Sequence, residues 1–184
     1  MTGIASRGQL RMSFARTAMI VVPAVLLLGS MSGWLSNSSS NNAWYQALAK
    51  PDFTPPGGYF ALAWTVLYVL MGLALAIVIY ARGAAGRGLA MVAFGVQFAL
   101  NLAWSPTFFG AQRVEAGFWL IVAMLVAATV TAYLFWRVRP RAGWLLAPYL
   151  LWLGFAAVLN YEICRLNPDA QEAIPRASSA EIAI

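Results

Sequence analysis

Five blocks of apolar residues dominate this sequence: Phe14 to Leu35, Tyr59 to Tyr80, Leu89 to Phe109, Ala116 to Trp136, and Trp144 to Cys164. A helix crosses a hydrocarbon core of about 30 Å with about 20 residues, and each block meets that length. A bilayer core offers no water to spare backbone groups, so blocks of this length form helices that bond internally. The expected fold is an all-α membrane protein, a five-transmembrane-helix bundle spanning 14–167. It carries an N-terminal extension, 1–13, on the cytoplasmic side and a flexible tail, 168–184. Composition agrees: 61% of residues are hydrophobic and 10% charged, where soluble domains carry about 25% charged residues.

The net charge of +6 does not describe a nucleic-acid surface, because the basic residues sit in short segments beside the spans and not along one polar face. Arg7, Arg11, Arg16, Arg82, Arg87, Arg137, Arg139 and Arg141 fall on one side; Lys50, Arg113, Arg165 and Arg176 fall on the other. The positive-inside rule then places the N-terminus in the cytoplasm and the C-terminus outside. The arginines before the first block and the small residues Ser30 to Ser32 also have the form of a signal peptide. The apolar run continues through Trp34 and Leu35, which favours a retained span. The bias fits a bacterial cell membrane, with outer and organellar membranes as alternatives.

The sequence has no His and a single Cys, Cys164. A His-ligated haem, the usual zinc sites, a Ser-His-Asp triad and an internal disulfide are therefore excluded by residue type, and no metal site is expected. Ionisable residues within a span usually mark proton or ion paths. Here Glu115 and Glu162 lie at span ends and Asp52 lies in a loop, so proton-coupled transport has little to work with.

Three connections are short: Ala81 to Gly88, Gly110 to Glu115, and Arg137 to Gly143. They suit antiparallel neighbours in a bundle. The first connection, 36–58, is far longer and has two halves. "SNSSSNN" (36 to 42) is polar and turn-forming, whereas "AWYQALAKPDFTPPGG" (43 to 58) carries Trp44, Tyr45, Leu48 and Phe53, which need cover. Tyr45 to Ala49 suits a turn or two of helix ended by Pro51, and Pro55-Pro56 hold the chain extended into the second span. Prolines limit the freedom lost on ordering, so the segment reads as a packed lid.

Polar amides and aromatics recur at helical spacing inside the spans. Gln97, Asn101 and Trp104 share one face of the third span; Pro148, Trp152, Ala156 and Leu159 share one of the fifth; Trp64, Tyr68 and Met71 share one of the second. Converging, these faces line a pocket for a flat apolar ligand; separately, they are helix packing and interhelical hydrogen bonds. Trp34, Trp136 and Trp144 sit at span ends and read as interface anchors. Gly95, Ala99 and Ala103 make a small-residue strip at every fourth position, a candidate dimer interface. "VLNYEICR" (158 to 165) fits the proposed sterol pattern through Leu159, Tyr161 and Arg165, a weak signal by itself.

Four segments in order, "WYQALAKPDFTPP" (44 to 56), "LAWTVLYVLMG" (62 to 72), "FGVQFALNLAWSPTFFG" (94 to 110) and "PYLLWLGFAAVLNYEICRLN" (148 to 167), resemble the TspO/MBR family of tryptophan-rich sensory and translocator proteins. The resemblance covers roughly Phe14 to Asn167. It implies a five-helix bundle, often a homodimer, that binds porphyrins such as protoporphyrin IX, and in mitochondrial members sterols and synthetic lipophiles, beneath the first loop. Carried over by matching position, the ligand-binding residues are Phe60, Ala61, Ala63 and Trp64, with Trp104, Trp152, Ala156 and Leu159. Phe118 transfers less directly, because "AQRVEAGFW" (111 to 119) differs in length from other members. Tyr68 and Asn101 join the site from the helical faces above.

The implied role is sensory, receptor-like or transporting, with no cofactor required and porphyrin or haem as ligand. The alternative is light-dependent porphyrin degradation at Trp64, since some bacterial members are reported to degrade porphyrin in light. Lacking His, the chain suits metal-free porphyrin or loosely held haem. One departure is Phe53, where many members have Trp; the aromatic ring is kept and the indole donor lost.

Overall fold

The computed structural model describes residues 7–170. Its helices are α1 (Arg7–Leu35), α2 (Ala43–Ala47), α3 (Gly57–Tyr80), α4 (Arg87–Ser105), α5 (Val114–Val138), α6 (Pro140–Trp144) and α7 (Ala147–Leu166), and a π turn, Pro106–Gly110, extends α4. Five stretches are long and apolar enough to cross a membrane: Met12–Leu35, Gly57–Tyr80, Arg87–Gly110, Val114–Val138 and Pro140–Leu166. The expected extension is helical from Arg7 onward, and the expected tail beyond residue 170 lies outside the described residues.

The spans form a closed ring. α1 packs along α3 and touches α4, α4 packs along α5, α5 along α7, and α3 meets α6 and α7. Met71, Ala74, Val78, Met124, Phe135, Tyr149 and Leu153 are fully or almost fully buried at its centre. Outward lie Ile20, Leu27, Leu62, Val66, Leu89, Val96, Val126 and Leu151, all exposed. Helices apolar on every side are what a lipid environment selects. Trp34, Trp136 and Trp144 are exposed at span ends, as anchoring residues would be.

Small residues set the closest approaches. A Cβ on Gly72 of α3 would come within 2.8 Å of the Val22 Cα of α1, so the two backbones meet where the side chain is missing. In the last turn of α3, Arg87 Nε donates to Val78 O at 3.1 Å and to Ile79 O at 3.2 Å, adding a donor where the helix runs out of its own.

The π turn has a readable cause. Pro106 has no N–H, so the carbonyl four residues earlier, Leu102 O, loses its helical donor. Ser32 of α1 supplies one instead, its Oγ donating to Leu102 O at 2.6 Å. The turn closes with Ala111 N–H bonding to Pro106 O at 2.7 Å, the wider π spacing. Phe108 and Phe109 are carried in this turn.

The connection between α1 and α3 is ordered throughout. Asn42 caps α2, its Oδ1 accepting from Tyr45 N–H at 3.0 Å, while its Nδ2 donates to Asn37 O at 3.2 Å. The polar half thus has a structural task that its composition did not reveal, and Asn42 is itself buried. In the second half, Trp44 and Leu48 are buried against Phe108, Val114, Leu159, Ile163 and Ala170. The helix lies two residues earlier than the sequence implied, over Ala43–Ala47, with Leu48 already extended.

Candidate ligand site

Beneath this connection lies a cavity of about 870 Å³. From α3 come Phe60, Ala61, Trp64 and Tyr68; from α4, Asn101 and Trp104; from α7, Trp152, Ala156 and Leu159. These are nine of the residues expected at a ligand site, drawn together from three spans. Ala63 lies on α3 but outside the cavity wall, one helical step from Trp64. Phe118 lines a separate outer groove of about 420 Å³ between α5 and α7, together with Trp119, Tyr161, Cys164 and Arg165. The sterol-pattern residues are therefore divided: Leu159 faces the cavity, and Tyr161 and Arg165 face the groove. Arg165 pairs there with Glu162 at 2.7 Å.

The walls are aromatic. The rings of Trp64 and Tyr68 lie 5.3 Å apart, Phe60 and Trp152 meet edge-on at 5.7 Å, and Trp64 and Trp152 at 6.4 Å. Trp104 stacks on Phe108 at 5.0 Å and donates its indole N–H to Gly117 O at 3.2 Å. Each ring is held by others, so the wall is apolar and fixed in place. Gly29 of α1 faces the Tyr68 ring so closely that even a methyl group there would collide with it. The helix yields its side chain at the place where the tyrosine needs room.

At the deep end, a buried polar bridge crosses the bundle. Tyr68 Oη donates to Asn101 Oδ1 at 3.1 Å, and Asn101 Nδ2 donates to Tyr149 Oη at 3.1 Å. Asn101 thus ties α3 to α7 through α4. Of the other residues on the expected faces, Gln97 is buried with neither amide atom bonded, Met71 is in the core, and Pro148 is exposed.

The lid end differs in character. Ser38, Ser39, Ser40, Gln46, Lys50 and Thr54 line the opening. Lys50 Nζ donates to Tyr45 O at 2.7 Å, Leu48 O at 2.8 Å and Gln46 O at 3.3 Å, and lies 4.8 Å from the Tyr45 ring centre. Burial lowers the Lys50 pKa and raises that of the Tyr45 hydroxyl. The lid is fastened at Ala49: its N–H donates to Asn167 Oδ1, and its carbonyl accepts from Asn167 Nδ2, both at 2.8 Å.

Several cavity residues escaped the sequence reading. Phe108 and Phe109 enter through the π turn, Gly29 and Gly33 from α1, Ile121 and Met124 from α5, and Asn160 from α7. Gly29 and Gly33 sit four apart in an apolar span, a small-residue signal of close approach that was available. Pro106 marked an irregularity before Phe108, though its direction was not readable.

Comparison with known proteins gives a consistent result. The chain is 39% identical over 133 residues to Protein CrtK of Rhodobacter capsulatus, covering 70% of this chain and 81% of that protein. It is 41% identical over 128 residues to Tryptophan-rich protein TspO of Chlorobaculum tepidum, covering 68% and 80%. It is 38% identical over 157 residues to Translocator protein of Sus scrofa, covering 79% and 90%. The family model described as TspO/MBR family matches residues 19–166, which takes in most of the first span, the other four, the lid and the cavity between them: the chain belongs to the TspO/MBR family of membrane sensory and translocator proteins.

Proposed function

We propose that this protein binds flat lipophiles in the cavity under the lid, porphyrins such as protoporphyrin IX or haem first and sterol-like molecules second, in a sensory or transporting role. The observation that carries the reading is the aromatic wall of Trp64, Trp104 and Trp152 around a cavity of about 870 Å³. Small-molecule sites run from about 300 to 1,000 Å³ and are mostly apolar with a few placed polar groups. Asn101 at one end and Lys50 at the other supply those groups. With the arginine-rich end in the cytoplasm, the lid faces the opposite side, and Gly95, Ala99 and Ala103, all exposed on α4, are where a second copy packs.

Titration of the purified protein with protoporphyrin IX, followed by Trp fluorescence, tests the site. Saturable quenching is expected, with affinity falling about tenfold in Trp64→Leu and Trp152→Leu, since each removes one ring from the wall at about 0.5–1.5 kcal/mol beyond its area. Quenching that does not saturate, or that both variants leave unchanged, refutes it.

A further inference from the structure

Among the described residues that line the cavity, Lys50 is the one that carries a formal charge; no Asp or Glu shares the wall with it. Its three ammonium protons go to Tyr45 O, Gln46 O and Leu48 O, main-chain carbonyls at and just beyond the end of α2. Carbonyls supply partial charges only, so these bonds fix the ammonium in place without neutralising it. The ion pair seen among the described residues, Arg165 with Glu162, lies at the end of α7 and involves neither the lid nor the cavity wall. A fixed positive charge therefore stands at the polar mouth of a cavity whose deeper walls are aromatic.

We propose that Lys50 is the specificity residue of the cavity and selects amphiphiles that carry a carboxylate at one edge of a flat apolar body. The inference rests on the reading that the cavity binds such lipophiles. The guest's apolar plane lies against Trp64 and Trp152, and its carboxylate meets the ammonium at the lid. Of the three carbonyl bonds, that to Gln46 O is the longest at 3.3 Å and is the one the carboxylate displaces. An ion pair with a carboxylate replaces a bond from the ammonium to an uncharged carbonyl, which gives acids their advantage over neutral guests of the same shape.

The test compares protoporphyrin IX with its dimethyl ester, which keeps the ring and removes both charges, in wild type, Lys50→Gln and Lys50→Arg. Affinities are read by Trp quenching in one detergent, so partitioning of each porphyrin into micelles cancels in the comparison between variants. The acid-to-ester affinity ratio is expected to fall about tenfold in Lys50→Gln, the size of one hydrogen bond to a charged group. Lys50→Arg should retain the ratio, with the ester affinity of each variant serving as its own reference. An unchanged ratio in Lys50→Gln overturns the proposal, as does equal weakening of both porphyrins, which would make Lys50 a cap for α2 and nothing more. Failure of the wild type to bind either porphyrin saturably refutes the cavity reading itself, a different result from saturable binding without Lys50-dependent selection.

Discussion

Asn101 and Gln97 lie one helical turn apart on α4, and their fates diverge. Asn101 bonds a tyrosine hydroxyl on each side, whereas Gln97 is 1% exposed with both amide atoms unpartnered. Sequence spacing placed the two on one face with Trp104, because positions four apart sit above one another. Which amide would find partners depended on Tyr68 and Tyr149, brought in from other spans. Replacing Asn101 with Ala leaves two hydroxyls without their partner and is expected to cost about 1–3 kcal/mol, read as a lower melting temperature in detergent. Gln97→Leu removes a buried amide that bonds nothing, so its melting temperature should hold or rise. The opposite ranking would show that Gln97, not Asn101, is the polar tie of the bundle.

At the scale of elements, the lid is the least local structure in the chain. Its helix, capped by Asn42, is a single short turn, and its cover comes from the π turn and α7. Trp44, Tyr45 and Leu48 announced in the sequence that the segment packs; the surface it packs on is made by residues far along the chain. Asn167 bonds Ala49 across 118 positions, and nothing in its neighbourhood, "RLNPD", marks it as a clasp. Asn167→Ala removes two hydrogen bonds from the lid, and one that its Nδ2 gives to Ile163 O in the last turn of α7. Hydrogen exchange over 44–50 should quicken about tenfold, since about 1–1.5 kcal/mol of local stability is lost, with the melting temperature of the bundle nearly unchanged. Exchange at the wild-type rate would mean that apolar packing alone holds the lid.

For the whole molecule, the ring of five spans joins an arginine-rich end, with Arg82, Arg137, Arg139 and Arg141, to a lidded end with Lys50 and Arg165. Single cysteines in a Cys164→Ser background examine the assembly and its orientation together. Ala99→Cys should cross-link two copies, because the strip of α4 faces outward and needs no rearrangement to meet another. Ser39→Cys, beside the lid, should react on intact cells with a membrane-impermeant thiol reagent, and Ala85→Cys should not; the reverse pattern would invert the orientation, and absence of cross-linking would assign the strip to lipid. The five spans follow from residue order alone, because blocks of apolar residues in a bilayer must close their own backbone bonds, and span length follows from bilayer thickness. That order also marked most of the cavity's aromatic wall, since Trp64, Tyr68, Trp104 and Trp152 repeat at helical spacing. Tertiary structure decided the remainder. Tyr161 and Leu159 are two residues apart on α7, so roughly 200° of helical rotation separates them and only one can face the cavity. The carbonyl that Pro106 freed, the ring that Gly29 admits and the clasp of Asn167 on the lid each depend on a partner from another span, and spacing along one helix carries no record of which neighbour the ring of helices will present.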